Sequence, residues 1–227
     1  VVEDLYRPYR PKRRTRATIA KEKGLEPLAN LILLQMTDKS IEEEAESYVS
    51  EEKEVKNVKE AIAGASDILA ESVADEADYR IRIRKMTVKS GSIVSSAKKE
   101  SESSVYEMYY DFEEPISKLA GHRVLALNRG EKEKFLTVKI EAPQDDILRY
   151  LEKKMIHSDN PHTTPILKEV AEDSYKRLIG PAIEREIRSD LTEKAEDSSI
   201  KVFGKNLEQL LMQPPIKGQT VLGWDPA

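Results

Sequence analysis

Apolar residues recur at every third or fourth position over long stretches of this chain, which is the spacing of one face of an α-helix. The first such stripe follows Asn57, an effective helix N-cap, and consists of Val58, Ala61, Ile62, Ala65, Ile68, Leu69 and Val73. Four more stripes follow Pro143, namely Ile147, Leu148, Leu151 and Met155; Ile166, Leu167, Val170, Ala171, Tyr175 and Leu178; Ile183, Ile187 and Leu191; and Leu207, Leu210 and Leu211. Because each helix must bury its stripe against another element, we predict a mainly α fold, a multi-helical bundle of antiparallel hairpins whose last helix ends at Pro214.

Capping residues predict two shorter helices near the start of the chain. Thr15 suits the N-cap of a helix that runs to Lys23, and Gly24 suits the position just after its end. Pro27 suits the first turn of a second helix, which runs to Met36.

The middle of the chain is harder to interpret. Residues 41–54 are acidic and compatible with a helix, and Asp75 suits the N-cap of the helix that follows the Asn57 stripe. The segment Tyr79–Arg84 alternates basic and apolar residues with period two, which is typical of a strand with a basic face. Its neighbours have helical spacing, so we predict that it continues a helix.

A small sheet is predicted downstream of Gly91, which ends that helix. The segments Ser92–Ser96 and Phe135–Ile140 have strand character and are expected to pair as a two-stranded element. Helices are expected between them, over Lys99–Asp111 and Ala120–Lys132.

Composition excludes several classes of site. Charged residues make up 35% of the 227 residues, well above the usual quarter, which indicates long solvated helix faces. The chain has no cysteine, so disulfides and cysteine-ligated metals are excluded. The longest apolar run, Leu31–Leu34, is far too short to span a membrane, and nothing resembles a signal peptide. We therefore expect a cytoplasmic protein with no membrane partner.

A basic strap, Tyr6–Arg16, is the strongest local feature. Its cations are Arg7, Arg10, Lys12, Arg13, Arg14 and Arg16. These could contact phosphates while Tyr6 and Tyr9 stack on unpaired bases, which predicts binding of RNA or single-stranded DNA. Alternatively, the strap packs on an acidic face of its own protein such as Glu42–Glu54, because arginine pairs with carboxylates as readily as with phosphates.

A second basic cluster lies in the predicted helix Ala120–Lys132 and just after it. Its candidate nucleic-acid contacts are His122, Arg123 and Arg129, with Lys132 and Lys134 nearby. His122 and Arg129 are seven residues apart and would share one helix face. The alternative is a solvated or internally paired face.

No pattern predicts catalysis, a metal or a cofactor. His157 and His162 flank Ser158-Asp159-Asn160-Pro161, which is ordinary turn chemistry rather than a zinc-ligand spacing. The chain lacks a phosphate-binding loop and a nucleophile elbow. Asp225 closes an apolar segment, Thr220–Asp225, but a lone carboxylate cannot hold the two metals of a nuclease site. We expect a chain that is not an enzyme.

Several segments together resemble the bacterial Tex family of transcription accessory proteins. They are residues 3–20, which include the strap; Lys23-Gly24-Leu25-Glu26-Pro27-Leu28-Ala29; Asp67-Ile68-Leu69-Ala70-Glu71; Tyr110-Asp111-Phe112-Glu113-Glu114-Pro115; Gly121-His122-Arg123-Val124-Leu125-Ala126-Leu127-Asn128-Arg129-Gly130-Glu131; and Leu222-Gly223-Trp224-Asp225-Pro226. The matches occur in order and span almost the whole chain. Two positions depart from the pattern: Gly121 stands where we expect a small hydroxyl residue, and Ala227 stands where glycine is usual.

The resemblance implies an arrangement of domains. It implies a helical N-terminal region with the basic strap and a small β element over residues 1–142, and a helical hairpin region over 143–218. Residues 219–227 would then be the truncated first strand of an RNase H-like domain. In the family, helix-hairpin-helix elements and an OB-fold that binds RNA lie further along the chain.

The function implied is a non-catalytic helical scaffold region of a nucleic-acid-binding transcription accessory protein. Its partners would be nucleic acid, mainly through domains absent here, and the transcription machinery. Two alternatives stay open: a protein-interaction scaffold whose strap is paired internally, and a fragment of an RNase H-like nuclease with Asp225 as a metal ligand.

Overall fold

A computed structural model describes residues 2–6, 14–98, 104–214, 217–218, 220 and 222–224. The helices are α1 (Val2–Tyr6), α2 (Arg16–Glu22), α3 (Glu26–Leu34), α4 (Ile41–Glu46), α5 (Val58–Asp75), α6 (Ala77–Ser90), α7 (Gly121–Lys132), α8 (Gln144–Met155), α9 (Thr164–Asp173) and α10 (Gly180–Leu211). The strands are β1 (Ser92–Ala97), β2 (Asp111–Pro115) and β3 (Leu136–Glu141). The prediction of a mainly α fold with a small β element is confirmed.

The predicted caps of α2 and α5 are present. The Thr15 hydroxyl accepts a hydrogen bond from the Thr18 backbone N–H at 3.1 Å, and the Asn57 side chain accepts one from Glu60 at 2.9 Å. Gly24 follows α2 with φ of 76°, the left-handed conformation expected just after a helix end. These contacts satisfy N–H groups that have no partner within the helix.

Three expectations for the acidic and basic middle segments have different outcomes. Tyr79–Arg84 lies within α6, so the choice of helix over strand is confirmed. The cap position before α6 is Glu76 and not Asp75, and its side chain makes no capping bond. The helix-compatible segment 41–54 is helical only from Ile41 to Glu46, after which a turn leads to a bridge between Ser50 and Val55.

The sheet has three antiparallel strands in the order β2-β1-β3, one more than predicted. The predicted pairing of β1 with β3 is confirmed, with Ser95 opposite Val138. The predicted helix Lys99–Asp111 is wrong over its described part: a short 3₁₀ turn, Glu107–Tyr109, precedes β2, while residues 99–103 lie outside the described part. Tertiary contacts explain the difference, because the Ser95 hydroxyl donates to the Tyr109 carbonyl at 2.5 Å and the Tyr109 ring packs edge-on to Phe112.

The C-terminal helices differ from the predicted hairpins. Helix α9, a π-helical turn (Ser174–Ile179) and α10 form one continuous helical run, so the third and fourth apolar stripes lie on a single helix. Ile183 and Ile187 of the third stripe are buried. The fourth stripe is solvent-exposed, with Leu211 at 73% exposure, and the predicted packing of that stripe is wrong.

Two hydrophobic clusters hold the elements together. The larger draws side chains from α2 to α6 and from α8 to α10, and its fully buried members include Leu28, Ile32, Ile83, Leu151 and Leu167. The smaller lies between the sheet and α7 and contains Ile93, Tyr106, Tyr109, Leu127, Leu136 and Val138. Each fully buried side chain of this size contributes about 1.5–3 kcal/mol by leaving water.

Candidate nucleic-acid interface

The described end of the basic strap is held by acids of its own chain. Arg14 pairs with Glu22 of α2 at 2.8 Å, and the Arg14 side chain is 69% exposed. Arg16 opens α2 and lies close enough to Asp67 of α5 for its charge to act on the pKa of that carboxyl. Arg7, Arg10, Lys12 and Arg13 lie outside the described residues.

Asp67 of α5 lies between the charge of Arg16 and the π-helical turn. Arg177 donates to Asp67 at 2.8 Å and also to Asp173 at 2.5 Å. Burial raises the pKa of Asp67 and outweighs the opposing charges of Arg177 and Arg16. The geometry therefore joins α5 to the π-helical turn through one partly buried carboxylate, with the charge of Arg16 on α2 nearby.

The α7 cluster forms as a helix face. His122 and Arg129 are exposed, and α7 is continuous between them, so the seven-residue spacing places them on one side. Arg129 pairs with Glu133 at 3.0 Å, and this pairing, with a hydrogen bond from the Tyr106 hydroxyl, holds the pKa of Glu133 below its usual range. Lys132 is exposed beside them.

Arg123 has a different environment from its two neighbours. It pairs with Glu114 of β2 at 2.7 Å, and its guanidinium lies 5.9 Å from the centre of the Phe112 ring. These contacts fix α7 against the sheet. Of the three candidate residues on α7, Arg123 is thus the one most engaged with the protein itself.

Helix α10 positions α7 from the other side. Asn128 donates to the Thr192 hydroxyl at 2.7 Å, and Arg188 pairs with Glu131 at 2.5 Å. At the start of α7, a Cβ on Gly121 would lie 3.3 Å from the Ala195 Cα. Close helix packing therefore accounts for glycine at Gly121, and the N-cap residue, Ala120, makes no side-chain capping bond.

Sequence reasoning missed a buried charge cluster. Asp4 of α1, Arg80 and Arg84 of α6, and Glu186 of α10 form a network of ion pairs. The only available signal was the spacing of Arg80 and Arg84, four apart and therefore on one helix face. Neither acid partner is near them in sequence.

The histidine turn is structural. The Gln35 side chain accepts hydrogen bonds from the backbone N–H groups of His157 and Ser158, at 2.9 and 3.0 Å. Asn160 caps the same turn by accepting from the His162 N–H at 2.8 Å. Within the described ranges, no group of three or more potential metal ligands is present.

A small cavity lies beside the π-helical turn. Its volume is about 230 Å³, and its lining includes Ile83, Thr87, Ile140, Tyr175 and Glu184. One Glu184 oxygen accepts from the Ile140 N–H at 3.0 Å. Burial, followed by the negative charge of Glu184, raises the pKa of Tyr175.

The C-terminal strand prediction is only partly covered by the structure. Thr220 and residues 222–224 are described and are not part of a strand, and Leu222 and Trp224 are highly exposed. Val221 and Asp225 lie outside the described residues, so a metal-binding role for Asp225 stays a hypothesis. As for membrane spans, none of the helices in the described segments has the length and apolar character to cross a bilayer.

The fold and these surfaces define a mainly helical protein region with a small antiparallel sheet and cations paired at its surface. Residues 37–203 match the family model described as Tex central region-like, and the chain belongs to this family. It is 56% identical over its whole length to "Uncharacterized protein YdcI" of Bacillus subtilis, of which it covers 32%. It is 36% identical to "Protein tex" of Bordetella pertussis and 32% identical to human "S1 RNA-binding domain-containing protein 1", with 99% of the chain covered in each case. The chain spans about a third or less of the length of these relatives, 30% and 24% in the last two.

Proposed function

We propose that this chain is a non-catalytic helical scaffold region of a nucleic-acid-binding transcription accessory protein. The observation that carries the proposal is the family match over residues 37–203, which includes the smaller core cluster, most of the larger one and the α7 face. A relative from Neisseria gonorrhoeae is named "Transcriptional accessory protein Tex", and it is 33% identical over 99% of the chain. We further propose a cytoplasmic location and the division of the chain into residues 1–142, 143–218 and 219–227.

Two surfaces are available for phosphate contact under this proposal. Arg14 and Arg129 are largely exposed, and each pairs with an exposed acid. Exposed pairs of this kind are worth about 0–1 kcal/mol, so a phosphate can replace the carboxylate at little cost. Counterion release from the nucleic acid then supplies binding free energy that depends on salt.

The partner class follows from the same comparison. The human relative's name includes an S1 RNA-binding domain, and this chain covers 24% of that protein. We propose that RNA or single-stranded DNA is bound mainly by parts of the longer protein beyond this chain, with the strap and the α7 face adding phosphate contacts. The transcription machinery is a second proposed partner.

Fluorescence anisotropy with single-stranded RNA and single-stranded DNA tests the contribution of the strap. Arg14→Ala is the variant, and Arg149→Ala is its matched control, since Arg149 is 75% exposed and pairs with Asp146 at 2.7 Å. We expect Arg14→Ala to weaken binding and Arg149→Ala to leave it unchanged. Equal effects of the two variants would show that Arg14 contributes only to the overall electrostatic attraction and makes no specific phosphate contact.

The second candidate function is a protein-interaction scaffold. It is favoured by the pairing of Arg14, Arg123 and Arg129 with carboxylates of the same chain. It predicts that the double variant Arg13→Ala with Arg14→Ala lowers the melting temperature and leaves nucleic-acid affinity unchanged. An unchanged melting temperature together with a weaker affinity would reject it in favour of the first proposal.

A further inference from the structure

Four charged side chains from α1, α6 and α10 meet in one cluster. Asp4 accepts hydrogen bonds from the Arg80 Nε at 3.0 Å and from the Arg84 Nη1 and Nη2 at 2.8 and 2.9 Å. Glu186 accepts from the Arg80 Nη2 at 2.6 Å and from the Arg84 Nε at 3.0 Å. Arg80 is 1% exposed and the Asp4 side chain is 3% exposed.

The two carboxylates do not satisfy every hydrogen-bond donor of the two arginines. The Arg80 Nη1 is buried and has no hydrogen-bond partner among the described residues. A buried guanidinium nitrogen without an acceptor is unfavourable, so the site offers more donors than the two protein carboxylates satisfy. A tetrahedral phosphate carries more acceptor oxygens than a carboxylate and fits the planar forks of two arginines.

Asp4 is also the main described attachment of α1. The helix has five residues, and its other described side chains, Leu5 and Tyr6, are 58% and 54% exposed. Helices of this length are not stable by themselves. The docking of α1 therefore depends strongly on the Asp4 carboxylate.

We propose that Arg80 and Arg84 form a phosphate-binding site that Asp4 occupies within the chain, and that a phosphate group displaces Asp4 and releases α1. With Asp4 in place, these four side chains carry two positive and two negative charges. With Asp4 withdrawn, the two arginines and Glu186 leave a net charge of +1, which attracts an anion. Glu186 stays bonded to both arginines and holds their forks in position.

The site is coupled to the basic strap by sequence. Tyr6 is the last residue of α1 and the first residue of the strap, so release of α1 acts at the point in the chain where the strap begins. This inference goes beyond the proposed function and does not depend on it.

Chemical rescue of Asp4→Ala tests the site. Thermal unfolding is measured in a sodium phosphate series with sodium chloride at equal ionic strength as reference. We expect phosphate to raise the melting temperature of Asp4→Ala by about 3 to 5 °C per tenfold concentration above its dissociation constant, because only the folded state binds. The double variant Asp4→Ala with Arg84→Met should lose this response.

Glu114→Ala is the matched control. It also removes the acid partner of an arginine, but that arginine, Arg123, is single and lies at the surface rather than in a buried pair. We expect no phosphate-specific gain in that variant. Parallel shifts in wild type, Asp4→Ala, the double variant and Glu114→Ala would overturn the proposal.

Asp4→Asn, which keeps the side-chain shape, gives a second readout if Asp4→Ala does not fold. Phosphate should speed hydrogen exchange of the α1 amides in Asp4→Asn, and unchanged exchange would contradict displacement of α1. A single-stranded oligonucleotide at the same phosphate concentration distinguishes the source of the ligand. A larger response to the oligonucleotide supports a nucleic-acid backbone in the site, and a larger response to inorganic phosphate supports a small free anion.

Discussion

Replacement of Gly91 by alanine should destabilise the protein through a purely local clash. A Cβ at this position would lie 2.5 Å from the Thr87 carbonyl oxygen and 2.9 Å from the Glu141 carbonyl oxygen. Both are backbone atoms, so neither can swing away as the end of a side chain can. Gly91 therefore allows the chain to pass from α6 into β1 within one residue.

The expected loss follows from the bonds that must shift. The Gly91 N–H donates to Thr87 at 2.8 Å, and the Gly91 carbonyl accepts from the Ile116 N–H at 3.0 Å. Loss of two such bonds and the accompanying strain cost about 2–4 kcal/mol, against about 0.4–1 kcal/mol gained by restricting the unfolded chain. The net loss of about 1–3.6 kcal/mol corresponds to a melting temperature lower by about 2 to 14 °C.

Gly204→Ala is the matched control for this variant. Gly204 lies in the exposed part of α10, and a Cβ there would have no neighbour within 4 Å. Alanine should stabilise the helix locally by up to about 1 kcal/mol. Urea unfolding of both variants, followed by circular dichroism, is the assay. A stability of Gly91→Ala within about 0.5 kcal/mol of wild type would refute the steric argument.

Three further predictions use the same unfolding assay. Gly121→Val should cost about 1–3 kcal/mol, because its branches push against the Ala195 backbone; an unchanged stability would contradict close packing of α7 on α10. The hydrogen bond from Arg84 holds the pKa of Asp4 well below its usual range, so the Asp4 contribution is present above about pH 4 and is lost as the pH falls further. As the pH falls below about 4, the free energy of unfolding of Asp4→Asn should therefore fall less than that of wild type. Equal losses in the two proteins would count against the cluster. Leu211→Ser should change stability by less than about 0.5 kcal/mol, since Leu211 is 73% exposed; a large loss would mean that the fourth stripe is packed.

The helices were predictable where local chemistry and tertiary packing agree. Thr15 and Asn57 cap α2 and α5 as their residue types indicate, and the buried stripe of α5 has the predicted spacing. For Tyr79–Arg84, the helical spacing of the flanking residues correctly predicts a helix, although the alternation within the segment favours a strand. Arg80 and Ile83 are buried on the inner side of α6, which the period-two pattern hides.

The wrong predictions concern segments whose secondary structure or burial depends on contacts with distant parts of the chain. The segment before β2 is compatible with a helix, but burial of Tyr106 and Tyr109 beneath the sheet prevents one. The fourth stripe has good helical spacing, but nothing in the described structure covers it, and sequence alone cannot tell an exposed stripe from a buried one.

For the candidate sites, the sequence predicts which residues could take part but not which contacts most of them make. The face shared by His122 and Arg129 follows from helical spacing, whereas the pairing of Arg123 with Glu114 depends on the unpredicted strand β2. The cluster of Asp4 with Arg80 joins residues 76 positions apart, and no local pattern specifies such a contact. The division of the chain at residues 142 and 143 stays a prediction.

The salt dependence of single-stranded RNA binding tests the proposed function most directly. For single strands, each phosphate contact contributes about −0.7 to the slope of log affinity against log salt concentration. If Arg13 and Arg14 both contact phosphates, the double variant Arg13→Ala with Arg14→Ala should bind more weakly with a slope less negative by about 1.4, while Arg149→Ala keeps the wild-type slope. An unchanged affinity and slope in the double variant would contradict nucleic-acid contact by the strap and leave the protein-interaction scaffold as the better account.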